Sequence, residues 1–131
     1  MKLKTLAMTL GVAATLCAPL QLSLAADEAA DSMKPTAAEK AFMKKAADGG
    51  MTEVEMGQVA AEKGGSDAVK DFGNQMVKDH GKINDNLKEL AGKMNVTLPA
   101  SVSAKHKAMI EKMSGMSGAA FDNAYVPAMV K

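Results

Sequence analysis

The chain has no arginine and no tryptophan, and its 131 residues include one cysteine, four prolines, three phenylalanines and one tyrosine. With no guanidinium group, bidentate recognition of phosphate or of guanine is excluded. So few aromatics leave no stacking platform for single-stranded nucleic acid. Nucleic acid is therefore not an expected partner. The one thiol, Cys17, lies within an N-terminal apolar run. It follows Leu16, where a lipid-modified cysteine takes a small neighbour. Beyond that run there is no cysteine, which excludes disulfides, thiol catalysis and thiolate metal sites there. No segment alternates with a period of two, so no sheet is expected.

The N-terminus has the layout of a secretory signal peptide. Lys2 and Lys4 precede the run Leu6–Leu20, and Ser23-Leu24-Ala25 offers small residues for cleavage. Thr5, Thr9, Thr15, Pro19 and Gln21 make the run a poor membrane anchor, since a spanning helix needs about 20 strongly apolar residues. Cleavage after Ala25 is expected, so that residues 1–25 are removed and the protein is exported. Without Lys2 and Lys4 the balance is 14 lysines against 15 acids, a net charge of −1. Residues 26–35 are acidic, small and unpatterned, and read as a flexible leader. Residues 36–131 read as one helical domain.

Thr36-Ala-Ala-Glu39 fits a capping box at the start of a first helix. Met43, Ala46, Gly50, Val54, Gly57 and Ala61 follow at helical spacing, with Gly49-Gly50 the weak point. Gly64-Gly65 ends this helix, and Ser66-Asp67 starts the next. That second helix has the clearest pattern in the chain. Val69, Phe72, Met76, His80, Ile83, Leu87, Leu90 and Met94 step by three and four, which predicts one buried stripe. After a turn over residues 95–100, Ser101 is expected to cap a third helix bearing Val102, His106, Met109 and Met113. Ser114 to Gly118 breaks it. Phe121, Tyr125 and Met129 suggest a short fourth helix, bent or interrupted at Pro127. The expected fold class is all-α, an antiparallel up-and-down helical bundle.

Several of these positions together resemble a known family. Phe42, Gly50, Glu53-Val54, Gly57 and Ala60 on the first helix fit its pattern. So do Phe72-Gly73, Met76-Val77, Asp79-His80 and Leu90-Ala91 on the second. Leu98-Pro99, His106, Ser117-Gly118, Phe121-Asp122 and Tyr125 complete it. The sequence from Ala37 to Lys131 resembles the DUF4142 family of bacterial exported proteins. The resemblance implies a ferritin-like bundle in the periplasm or at the outer membrane, and no defined activity. The family pattern continues with Met-Val-x-Asp-His on the fourth helix, whereas this sequence stops at Met129-Val130-Lys131. The expectation is a shortened fourth helix and a partly uncovered core, which favours self-association.

His80 is the first candidate for chemistry, because an imidazole inside an apolar stripe needs a partner. Folding the first two helices back at Gly64-Gly65 sets His80 level with Gly49. Glu53 then lies about 6 Å along the axis. A Glu53–His80 contact is predicted, with the paired glycines giving the ring room. The bland reading is a hydrogen-bonded histidine that sets helix register. The alternative is a single metal ion held by Glu53 and His80, with Asp122 a further candidate ligand. Ferritin-like di-iron sites need Glu-x-x-His on two helices; this chain has none, with Val77 three residues before His80. No cofactor is expected. By the same folding logic, His106 falls level with about residue 88 and too far from His80 to share an ion, and reads as a partly exposed helix residue. Met109, Met113 and Met116 raise the question of Cu(I), which thioethers favour, against the plainer role of core filler. There is no nucleophile elbow, phosphate loop or His-Glu-x-x-His. The expected role is a non-enzymatic component of the cell envelope, concerned with interaction or stress.

Overall fold

The computed structural model describes residues 34–130. The expected signal peptide, Cys17 and the leader through Met33 lie outside the described residues. Four helices follow in order: α1 Ala37–Lys63, α2 Asp67–Lys93, α3 Ala104–Ser114 and α4 Gly118–Met129. Among the described residues there is no strand, and a lone bridge joins Gly64 to Gly118. The protein is an all-α helical bundle.

Local chemistry sets the ends of these helices. The Thr36 hydroxyl accepts from the Glu39 N–H at 3.2 Å, and the Glu39 carboxylate accepts from the Thr36 N–H at 2.7 Å. Both arms of the capping box are present. Ser66 caps α2 by accepting from the Val69 N–H. Ser103, rather than Ser101, caps α3, accepting from the His106 N–H. Residues 101 and 102 instead extend the incoming loop. Asn95 closes α2 in the left-handed conformation, at φ 53°, which asparagine tolerates better than most residues. Pro127 lies within α4 and does not end it.

α1 is the central element, because all three other helices pack on it. It therefore buries two faces. Gly50 and Gly57 look toward α2; Met56 also joins Ile110, Met113, Phe121 and Tyr125 in one core cluster. A single-stripe reading of α1 captured Met43, Gly50 and Gly57 and missed Ala47, Thr52, Met56 and Ala60. α3 runs alongside α1 in the same direction, and α4 returns against it, so chain directions alternate through the bundle.

The contact between α1 and α2 depends on glycine. A Cβ on Gly73 would stand 2.6 Å from the Gly57 carbonyl oxygen, and one on Gly57 would stand 2.7 Å from that of Gly73. The two backbones meet with no side chain between them. Further along, Asn84 occupies the space a side chain on Gly50 would need. The glycine gap therefore serves Asn84 rather than the imidazole of His80, because the helices are offset by about one turn from the simple fold-back estimate.

That offset also rotates the α2 stripe. The buried line is Val69, Gly73, Asn84 and Ala91. Phe72, Ile83 and Leu90 are 42%, 54% and 48% exposed. The stripe expected to be hidden is thus a ribbon with one edge against α1 and the other facing outward. The physical reason is close approach: small residues let α1 settle on the Gly73 and Ala91 side, and the larger side chains are left flanking the contact.

Candidate functional site

The core falls into two apolar clusters. One gathers Met56, Ala60, Val69, Ile110, Met113, Phe121 and Tyr125 near the α1–α2 turn. The other gathers Met43, Ala91 and Val96 at the opposite end. Between them lies a polar belt built by the middle of α1.

Glu53 and His80 meet in this belt. Glu53 Oε2 is 2.7 Å from His80 Nδ1, and both side chains are partly exposed. The predicted contact is present, and the one-turn offset brings the two residues level. The ring lies at the edge of the α1–α2 contact and is not enclosed by the apolar stripe.

Asp122 does not join them. Its carboxylate accepts from the Gly65 N–H at 2.8 Å, the Ser66 N–H at 3.0 Å and the Ser66 hydroxyl at 3.0 Å. It sits at the N-terminus of α2, in the apical turn, where negative charge is favoured. The Gly65 N–H, with help from Ser66 and the charge of Lys70, holds its carboxyl below the ordinary value of 3.8, against the smaller opposing effect of burial. Asp122 is thus engaged away from Glu53 and His80, and ties α4 to the α1–α2 turn.

Sequence reasoning missed Asp48. Its carboxylate accepts from the Ser103 N–H at 2.6 Å and lies 2.9 Å from His106 Nδ1. The approach to the ring is close but not along its N–H direction, so it is a close polar contact rather than a directed hydrogen bond. Burial alone would raise the Asp48 carboxyl; the Ser103 N–H and hydroxyl and the His106 ring outweigh it and hold the carboxyl below 3.8. His106 is partly exposed, as its sequence suggests, but it faces α1 and not residue 88 of α2, because α3 leans on α1. One signal was there to read. Asp48 is the single charged residue within Ala46-Ala47-Asp48-Gly49-Gly50, a stretch small enough for another helix to approach.

Beside this second pair is a cleft of about 340 Å³, lined by Gly49, Thr52, Glu53, Lys105, His106, Met109, Ala128 and Met129. The three methionines the sequence grouped meet at one core cluster, Met113 buried within it and Met109 and Met116 packed against it, and Met109 also lines the cleft. Among the described residues, no group of three or more His, Cys, Asp or Glu side chains is placed to hold a metal ion. Among the same residues, no helix is long and apolar enough to cross a membrane.

These features define a small all-α bundle, centred on one helix, with two histidine–carboxylate pairs between its apolar clusters. The chain belongs to the DUF4142 family, a domain of unknown function, whose sequence model matches residues 23–131. No curated protein and no solved structure matches it.

Proposed function

We propose that this is a non-enzymatic, exported protein of the bacterial envelope, periplasmic or associated with the outer membrane, that works by association through the outer face of α2. The signal-peptide layout of residues 1–25 supports export, and the order of the helices supports a ferritin-like bundle.

The observation that carries the association reading is the exposed row Phe72, Ile83 and Leu90 on α2, with Val126 of α4 next to Phe72. Large apolar side chains at helical spacing on an open face mark a contact surface. The occupant this face suits best is a second copy of the chain. α2 carries five lysines and five acids, so two α2 helices can meet along this apolar line without a surplus of either charge between them. The two histidine–carboxylate pairs act as polar ties between helices and have no catalytic task.

Light scattering on the purified chain tests this. A dimer or larger species at micromolar concentration is the expected result. A monomer throughout the accessible concentration range would refute the reading.

A further inference from the structure

We propose that the cleft between α1, α3 and α4 binds a soft monovalent metal ion, Cu(I), through the imidazole of His106 and the thioethers of Met109 and Met129. This is independent of association through α2, which uses another face.

His106 and Met109 are three residues apart on α3 and so share a helical face. Both line the cleft, and Met129 of α4 lines it with them. Two successive helices thus bring an imidazole and two thioether side chains to one concave site. Thioether and imidazole donors suit Cu(I), whereas carboxylate-rich sets suit harder ions. The described residues offer no such carboxylate-rich set.

The imidazole also has a carboxylate beside it. Asp48 stands 2.9 Å from Nδ1, leaving Nε2 as the ring nitrogen for a metal. That approach is not along the ring N–H, so Asp48 acts on the ring through its negative charge, which favours a bound cation. Asp48 is itself held by the Ser103 N–H at the start of α3. Glu53 on the cleft wall adds negative charge that favours a cation, while Lys105, also on the wall, opposes it. Met109 and Met129 are partly buried and line the cleft, whereas Met113 is buried in the core.

The test is an anaerobic titration of the untagged chain with Cu(I), in competition with a chromophoric chelator. The expected result is about one Cu(I) per chain. Met109→Leu, Met129→Leu and His106→Ala should each weaken binding about tenfold or more, and Asp48→Asn should weaken it less than any of these. Met116→Leu should leave it unchanged. Circular dichroism on each variant separates ligand loss from misfolding, and the leucine variants keep the packing volume. With Ag(I) in place of Cu(I), the methyl resonances of Met109 and Met129 should shift and that of Met113 should not. Wild-type protein that fails to compete with the chelator would overturn the proposal. So would binding that survives both leucine substitutions, or binding lost in His80→Ala and kept in His106→Ala.

Discussion

Tyr125 shows how single residues divide between packing and polarity. Its ring is fully buried, stacked on Phe121 with centroids 5.2 Å apart and set edge-on to Phe72 at 6.1 Å. Its hydroxyl is buried without a partner. Leaving a donor unsatisfied costs more than removing it. Tyr125→Phe should therefore keep or raise stability, by up to about 1 kcal/mol, in urea unfolding; a clear loss would mean the hydroxyl is satisfied. Burial also raises the phenol above its ordinary 10.0, so this contribution is present below pH 10 and fades as pH rises through the folded value. Asp122 acts at the other end of the scale. Its lowered carboxyl contributes stability above pH 3.8, lost as pH falls through the folded value. Thermal melts between about pH 2 and pH 6 should show a steeper acid loss for wild type than for Asp122→Asn. Equal slopes would remove Asp122 from the acid response. Asp122 was visible in sequence as a polar residue between Phe121 and Tyr125. Its partners, 56 and 57 positions away, were not.

At the scale of elements, the helices and their caps follow from nearest neighbours in sequence. Thr36 with Glu39, the Gly64-Gly65 break and Ser66 were all readable because capping acts within three or four residues. The faces were less so. Helical spacing placed Phe72, Ile83 and Leu90 on one stripe with Val69, but spacing says nothing about where along the stripe a partner settles. The Gly57–Gly73 contact decides that. Gly73→Ala would drive a methyl into the Gly57 carbonyl and the Ala60 side chain, 2.8 Å from its Cβ. A loss of about 1–3 kcal/mol in urea unfolding is expected, typical of overpacking. Gly49→Ala is the control: nothing lies within 4 Å of the added Cβ, and alanine favours helix, so stability should hold or rise. A similar response at both glycines would mean that close approach is not what Gly73 provides.

For the whole molecule, α1 serves as a hub, and its partners cover it better than they cover α2. Introducing charge on the open face, with Ile83→Lys and Leu90→Lys together, should convert an associated protein to monomer. The circular dichroism signal should change little, because neither side chain is buried in the described bundle. An assembly that persists in the double variant would move the interface elsewhere. The Glu53–His80 contact, foreseen from register, and the Asp48–His106 contact, not foreseen, both sit in the belt between the apolar clusters. They differ in legibility because the first joins helices linked by one tight turn, and the second joins helices separated by all of α2.

By itself the sequence determined the all-α class, the order of the described helices, the caps of the first two, and the pairing of Glu53 with His80. Those depend on periodicity, on local hydrogen bonding and on a fold-back whose length is set by a short turn. Only the tertiary structure decided that α3 and α4 lean on α1, that Asp122 binds the Gly65–Ser66 turn instead of joining His80, and that Phe72, Ile83 and Leu90 of the apolar ribbon on α2 face outward. Each of these rests on how closely two backbones approach and how far one helix slides past another, quantities set by glycine contacts and side-chain volume across the interface rather than by spacing along the chain.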